Sequence, residues 1–209
     1  MRTDLLTLVQ WLSPTFPTGG YAYSHGLEAV IAEGERSAAG IEVWIAGVLR
    51  HGSGQADAVL LACTLRGEDP AALDATARAM AGTQERMVET VEQGAAFART
   101  VSAVTGRDLP PRCLPVAVGE AAAQLDLPRE DIVAVYLHAF AANLVACATR
   151  FAPLGQTDAQ GMLARLHPVI AEVASRAALA GVDDIGTAAL GAELAAMRHE
   201  VMDVRIFKT

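Results

Sequence analysis

Apolar residues recur every three to four positions along most of this chain, the spacing of helices that bury one face. Leu5, Leu6, Leu8, Val9 and Leu12 form the first stripe, with Thr3 or Asp4 to cap it and Ser13-Pro14 to end it. Residues 15–20 hold Pro17, Gly19 and Gly20 and read as a loop. A second helix is expected from near Ser24 to Glu33-Gly34, and helical patterns cover about 40–52 and 54–66, parted by Gly52 and Gly54. The stretch from Pro70 to about Thr105 is helical with a break near Gly82, and three prolines between Arg107 and Pro115 make a connector. A short helix follows at 116–125, then a long apolar one at about 129–151, which Pro153-Leu154-Gly155 stops. Thr157 is placed to cap the next helix, and Pro168 inside it predicts a kink. A last helix at about 187–203 precedes a short tail. No segment alternates as a strand would, and no repeat or linker divides the chain. The pattern predicts a single all-α domain over 1–209, of about eight to ten helices, with short mobile ends.

Composition supports that fold class. Hydrophobic residues make up 52% of the 209, yet aromatics only 5%, and 42 alanines fill the difference. Small side chains suit closely packed helices better than a sheet. Sixteen basic against 24 acidic residues give a net charge of −8, which argues against binding nucleic acid or an anionic membrane surface. Lys208 is the only lysine. The three cysteines, Cys63, Cys113 and Cys147, are too widely spaced for a zinc knuckle or redox pair and read as buried thiols. The N-terminus does not resemble a signal peptide, and no membrane span is expected; the protein reads as cytoplasmic.

Candidate chemistry is sparse. No phosphate-binding G-x-x-x-x-G-K-[ST] loop and no G-x-S-x-G elbow is present, so no catalytic set is expected. Among the histidines (His25, His51, His138, His167 and His199), two share a helical face with a carboxylate: His25 with Glu28, and His199 with Asp203. Both pairs read first as ordinary polar contacts, with an all-α metalloenzyme as the alternative if they meet in space. Asp183-Asp184 reads as a helix-start cap. Two segments stand out. Tyr21 and Tyr23 directly follow the Gly19-Gly20 turn, although aromatics are scarce, and Arg205-Ile206-Phe207-Lys208-Thr209 is a basic, apolar end to an acidic chain. Tyrosines on a loop suit docking, with rings folded back on the core as the alternative; a phenylalanine two residues from the end suggests an anchor that inserts into a partner, or else one that folds back to cap the chain's own core.

These segments carry a family likeness. Residues 12–28, Leu-Ser-Pro-Thr-Phe-Pro-Thr-Gly-Gly-Tyr-Ala-Tyr-Ser-His-Gly-Leu-Glu, resemble the signature of the UreF family of urease accessory proteins. Three further stretches match in the same order: Leu114-Pro115-Val116-Ala117-Val118-Gly119, then 153–160 (Pro-Leu-Gly-Gln-Thr-Asp-Ala-Gln), then His199-Glu200 with the 205–209 tail. The departures are Ala22, where a hydroxyl residue is common, and Ile206, Lys208 and Thr209 in place of Leu, Arg and Ser. Lys208 cannot make the planar two-point contact an arginine makes.

The resemblance implies an all-α, non-catalytic maturation protein with no cofactor of its own. It implies pairing with a scaffold partner, UreD or UreH, homodimerisation in that complex, recruitment of the GTPase UreG, and nickel delivery to apo-urease. The residues that match the family motif and are placed for partner contacts are Tyr21, Tyr23, Ser24, Glu28, Arg205 and Phe207, with Arg150 at a basic position linked to GTPase coupling. No metal ligand is expected.

Overall fold

The computed structural model describes residues 2–186 and 188–208. Met1, Thr187 and Thr209, the last of these part of the predicted tail, lie outside the described residues. Within them the fold is all-α, with ten helices and no strand: α1 (Arg2–Trp11), α2 (Leu27–Ala32), α3 (Ala38–His51), α4 (Ser53–Leu65), α5 (Pro70–Ala79), α6 (Gln84–Thr105), α7 (Leu114–Ala122), α8 (Arg129–Phe151), α9 (Gln156–Leu179) and α10 (Leu190–Glu200). Two short 3₁₀ turns, Gly20–Ala22 and Val182–Asp184, complete it.

α4 is the axle of the fold. Residues 56–63 are buried without a break, the mark of a helix enclosed on every side. α3, α7, α8 and α9 surround it, and α8 and α9 pack side by side after the tight turn at 152–155. Phe97 of α6 closes the core at one end, 6.1 Å from Trp11 edge-on and 5.5 Å from Phe16. Alanine does what its abundance implied: Ala58, Ala62, Ala117, Ala121, Ala141, Ala148, Ala174 and Ala177 line the helix contacts. Gly94 goes further. A Cβ there would lie 1.8 Å from the Arg112 carbonyl oxygen, so only glycine lets the proline-rich connector cross α6.

Most boundaries follow the pattern; several do not. α2 starts at Leu27 rather than near Ser24, because His25 (φ 53°) and Gly26 (φ 79°) adopt left-handed backbone before it. α7 starts at Leu114 because Pro115 needs no N–H partner in a first turn. Gly155, not Thr157, precedes the first turn of α9, and no side chain caps that end. α9 runs through Pro168 as one helix. Asp184 accepts from the Gly181 N–H at 2.8 Å, a cap on a 3₁₀ turn rather than on α10, which starts only at Leu190. The expectation of no membrane-length apolar stretch is corrected. α8 is long and apolar enough to cross a membrane, with no charge between residues 132 and 149, but half of that window is buried against its neighbours, which makes it a core helix.

Candidate functional site

Two left-handed residues in succession, His25 and Gly26, turn the chain sharply as it leaves the Gly19-to-Ser24 loop. A Cβ on Gly26 would lie 2.7 Å from the Ala196 amide nitrogen, so α10 is pressed directly onto this turn. Ser24 Oγ then accepts from the Glu28 N–H at 3.3 Å, which ties the loop to the first turn of α2. Glu28 thereby arrives buried, with its carboxylate pointing toward the chain's other end.

That carboxylate is filled by the C-terminal tail. The Ile206 and Phe207 N–H groups donate to its two oxygens at 2.8 and 2.9 Å, and His199 Nε2 lies 3.1 Å away. His199 is fully buried, and its other ring nitrogen is 2.7 Å from Glu85 of α6, which in turn pairs with Arg205. The Lys208 N–H donates to the Ala22 carbonyl at 2.6 Å. Phe207 is buried in the main core, and the Arg150 guanidinium lies 5.8 Å from its ring centroid. Arg150 also donates to the Tyr21 carbonyl at 2.8 Å. Tyr23 is buried; its hydroxyl donates to Glu92 at 2.9 Å, and its carbonyl accepts from Asn143 and Cys147. Burial, then the Glu92 carboxylate, push that phenol well above its ordinary value.

The seven residues singled out from sequence thus form one cluster, although they lie up to 186 positions apart. Their roles divide. Tyr23, Ser24, Glu28 and Phe207 are buried and hold the chain's two ends together, whereas Tyr21, Arg150 and Arg205 are exposed, as are Ile206 and Lys208. The tail, expected to be mobile, lies packed in this structure: Phe207 occupies a pocket in its own chain, and Glu28 satisfies the two backbone donors nearest it. The structure separates the other proposed set. Glu28 and His199 meet, but His25 turns to Glu89, and Asp203 is exposed. Sequence reading missed Glu85, Glu92 and Asn143, because each acts from a helix remote in sequence. His199 was read only against its own helix neighbour.

Behind the cluster lies a second buried polar group. Arg86 donates from one Nη to both Asp57 oxygens at 2.7 Å, and Tyr136 donates to Asp57 at 2.7 Å. Glu89 takes His25 Nε2 at 3.0 Å and Gln93 at 2.9 Å. Its second oxygen is 3.2 Å from Arg86 but off the direction of a hydrogen bond. Burial works to raise the Glu89 carboxyl, but the charges of His25 and Arg86 outweigh it and leave it below the ordinary glutamate value. Cavities of about 90 and 180 Å³ meet the same four side chains, His25, Asp57, Arg86 and Glu89. Among the described residues, no group of three or more His, Cys, Asp or Glu is disposed to hold a metal ion. The three thiols are buried, and burial pushes Cys63 up to about 11 and Cys113 and Cys147 up to about 12, which leaves them protonated and inert at neutral pH.

The motif-bearing ends and the helices between them can be compared with known proteins. A UreF family model matches residues 36–167, the helical body between the two clustered ends. Full-length likeness adds those ends. A urease accessory protein UreF of Cereibacter sphaeroides is 62% identical over 210 residues, covering all of both chains. One from Roseobacter denitrificans is 51% identical, covering all of this chain and 96% of its own, and one from Paracoccus denitrificans is 50% identical, covering 98% and 95%. The chain belongs to the UreF family of urease accessory proteins.

Proposed function

We propose that the chain acts as a non-catalytic cytoplasmic adaptor in urease maturation. It pairs with a UreD/UreH scaffold and with a second copy of itself, recruits the GTPase UreG, and so supports nickel insertion into apo-urease. The observation that carries this reading is the convergence of two family-matched segments, residues 12–28 and the 199–208 end, with Arg150 on one surface. Tyr21, Arg150, Ile206 and Lys208 face solvent there, over a buried frame of Tyr23, Glu28, His199 and Phe207 that fixes their positions. An aromatic ring, a guanidinium and an aliphatic side chain held on a rigid base suit a protein partner, since little entropy remains to be lost on binding.

The test is co-purification from cells expressing the urease genes, with the scaffold protein as bait. The wild-type chain should bring down UreG and the urease subunits, and Arg150→Ala should fold normally yet lower urease activation. If the chain is absent from the scaffold eluate, or if urease becomes fully active in cells lacking the chain, the adaptor reading fails.

A further inference from the structure

α8 and α9 each carry one exposed histidine at the same level of their contact, His138 and His167. Their ring centroids are 5.5 Å apart, with the planes tilted by 45°. Neither ring makes a hydrogen bond or ion pair among the described residues. Arg165, the nearest cation in sequence to His167, is drawn away by Glu42, which accepts from it at 2.8 and 2.9 Å. Two unpaired imidazoles this close, on the two longest helices of the fold, call for an explanation that stacking does not supply, because tilted rings at this separation share little surface.

We propose that His138 and His167 form a two-imidazole site for a borderline divalent transition ion, with its remaining positions open to water or an incoming ligand. Imidazole nitrogen suits Ni²⁺, Cu²⁺ and Zn²⁺, whereas Mg²⁺ and Ca²⁺ prefer oxygen. Metal–nitrogen bonds of about 2.0–2.1 Å place the centroids of two imidazoles sharing one ion roughly 5 Å apart, so a small side-chain rotation closes the pair. The helices supply the rigidity: both ligands stand on packed α-helical backbone, so the second bond forms as an intramolecular step. The cysteines do not compete, being buried and protonated. The sequence concealed the site because 29 positions separate its two members.

The test is calorimetric titration of the full chain, prepared without a polyhistidine tag, with NiCl₂, ZnCl₂ and CuCl₂ in turn. One ion per chain is expected, Cu²⁺ tighter than Ni²⁺ by the general order of the divalent series. His138→Ala and His167→Ala should each weaken binding at least about tenfold, and the double variant should lose it, while melting of the metal-free proteins stays unchanged because both side chains are exposed. His51→Ala should bind as wild type does. His138→Gln and His167→Gln give the same comparison should an alanine variant fold poorly. The site is refuted if wild-type protein takes up no ion at millimolar NiCl₂, or if the double variant binds with wild-type stoichiometry and affinity. Either result leaves the adaptor reading untouched, since co-purification does not depend on these two side chains.

Discussion

Glu28 and Glu89 are equally buried carboxylates, yet the fold holds them by different means. Glu89 sits among side chains: Arg86 three residues before it on α6, His25 from the turn before α2, and Gln93 one turn on. Glu28 is held by two backbone N–H groups of the chain terminus and by His199. The Glu89 group balances its charge within the core and cannot open without exposing Asp57 and Tyr136 as well. The Glu28 group spans a segment boundary, and its donors leave together if the tail leaves. One arrangement fixes the core; the other fastens the chain's two ends and can be undone locally.

The sharpest way to break this contrast is Arg86→Met. It strands Asp57 and Glu89 as buried, underpaired carboxylates, and removing one partner of a buried ion pair typically costs about 3–5 kcal/mol. Denaturant unfolding should show a loss of that size, spread over the whole molecule. A loss under about 1 kcal/mol would mean that water reaches the network, and the contrast would collapse. A related check uses pH. Glu89 is held below its ordinary value of 4.5, so its contribution is complete above that value and disappears as pH falls through the lower folded value. Arg86→Met should therefore flatten the loss of stability on the acid side of pH 4.5.

Removing residues 205–209 tests the other group. Phe207 is core-packed, and burying a phenylalanine is worth roughly 1.5–3 kcal/mol. Truncation should lower the melting temperature of the isolated chain by several degrees. Phe207→Ala should account for most of that shift. An unchanged melting temperature would show that the tail leaves this pocket in solution.

Glu28→Gln should cost less, about 1–2 kcal/mol, because the amide still offers one acceptor to the tail while losing the charge. Its signature is local. Amide exchange at Ile206, Phe207 and Lys208 should rise while exchange in α4 stays slow. A uniform rise across α4 and α8 would instead place Glu28 in the same cooperative unit as Glu89.

Helix existence was legible in the chain because burial of one face imposes a period, and α8 matches its expected limits of 129 and 151. The helix starts were not, wherever backbone rather than side chains decides. Left-handed His25 carries no local signal beyond the glycine after it, and it delays α2 past Ser24. The residues singled out from sequence lie together in the fold, but what each one touches was not legible. Tyr23 and Phe207 look like docking groups because the chain has so few aromatics, but what each meets, Glu92 and the core beside Arg150, comes from helices that local spacing cannot align. The Arg86 network was invisible for the same reason: Asp57, Arg86 and Tyr136 lie on three helices, with 29 and 50 positions between successive members.

The smallest expected effect concerns Lys208, the chain's only lysine. Its ammonium is 3.5 Å from Glu92 and 5.7 Å from the Tyr23 ring centroid, and its side chain is 62% exposed. An exposed pair of this kind is worth about 0.2–1 kcal/mol at most. Lys208→Ala should therefore shift stability by only a few tenths of a kcal/mol, because the tail's register is set by the Lys208 backbone N–H on the Ala22 carbonyl, which alanine retains. Lys208→Arg should gain a similar amount, since a guanidinium can meet Glu92 at two points while lying over the tyrosine ring. Both differences should shrink in 1 M salt, where the screening length falls to about 3 Å. A loss above about 1 kcal/mol in Lys208→Ala, persisting in salt, would mean that the side chain fastens the tail, and that Glu28 shares the task with Glu92.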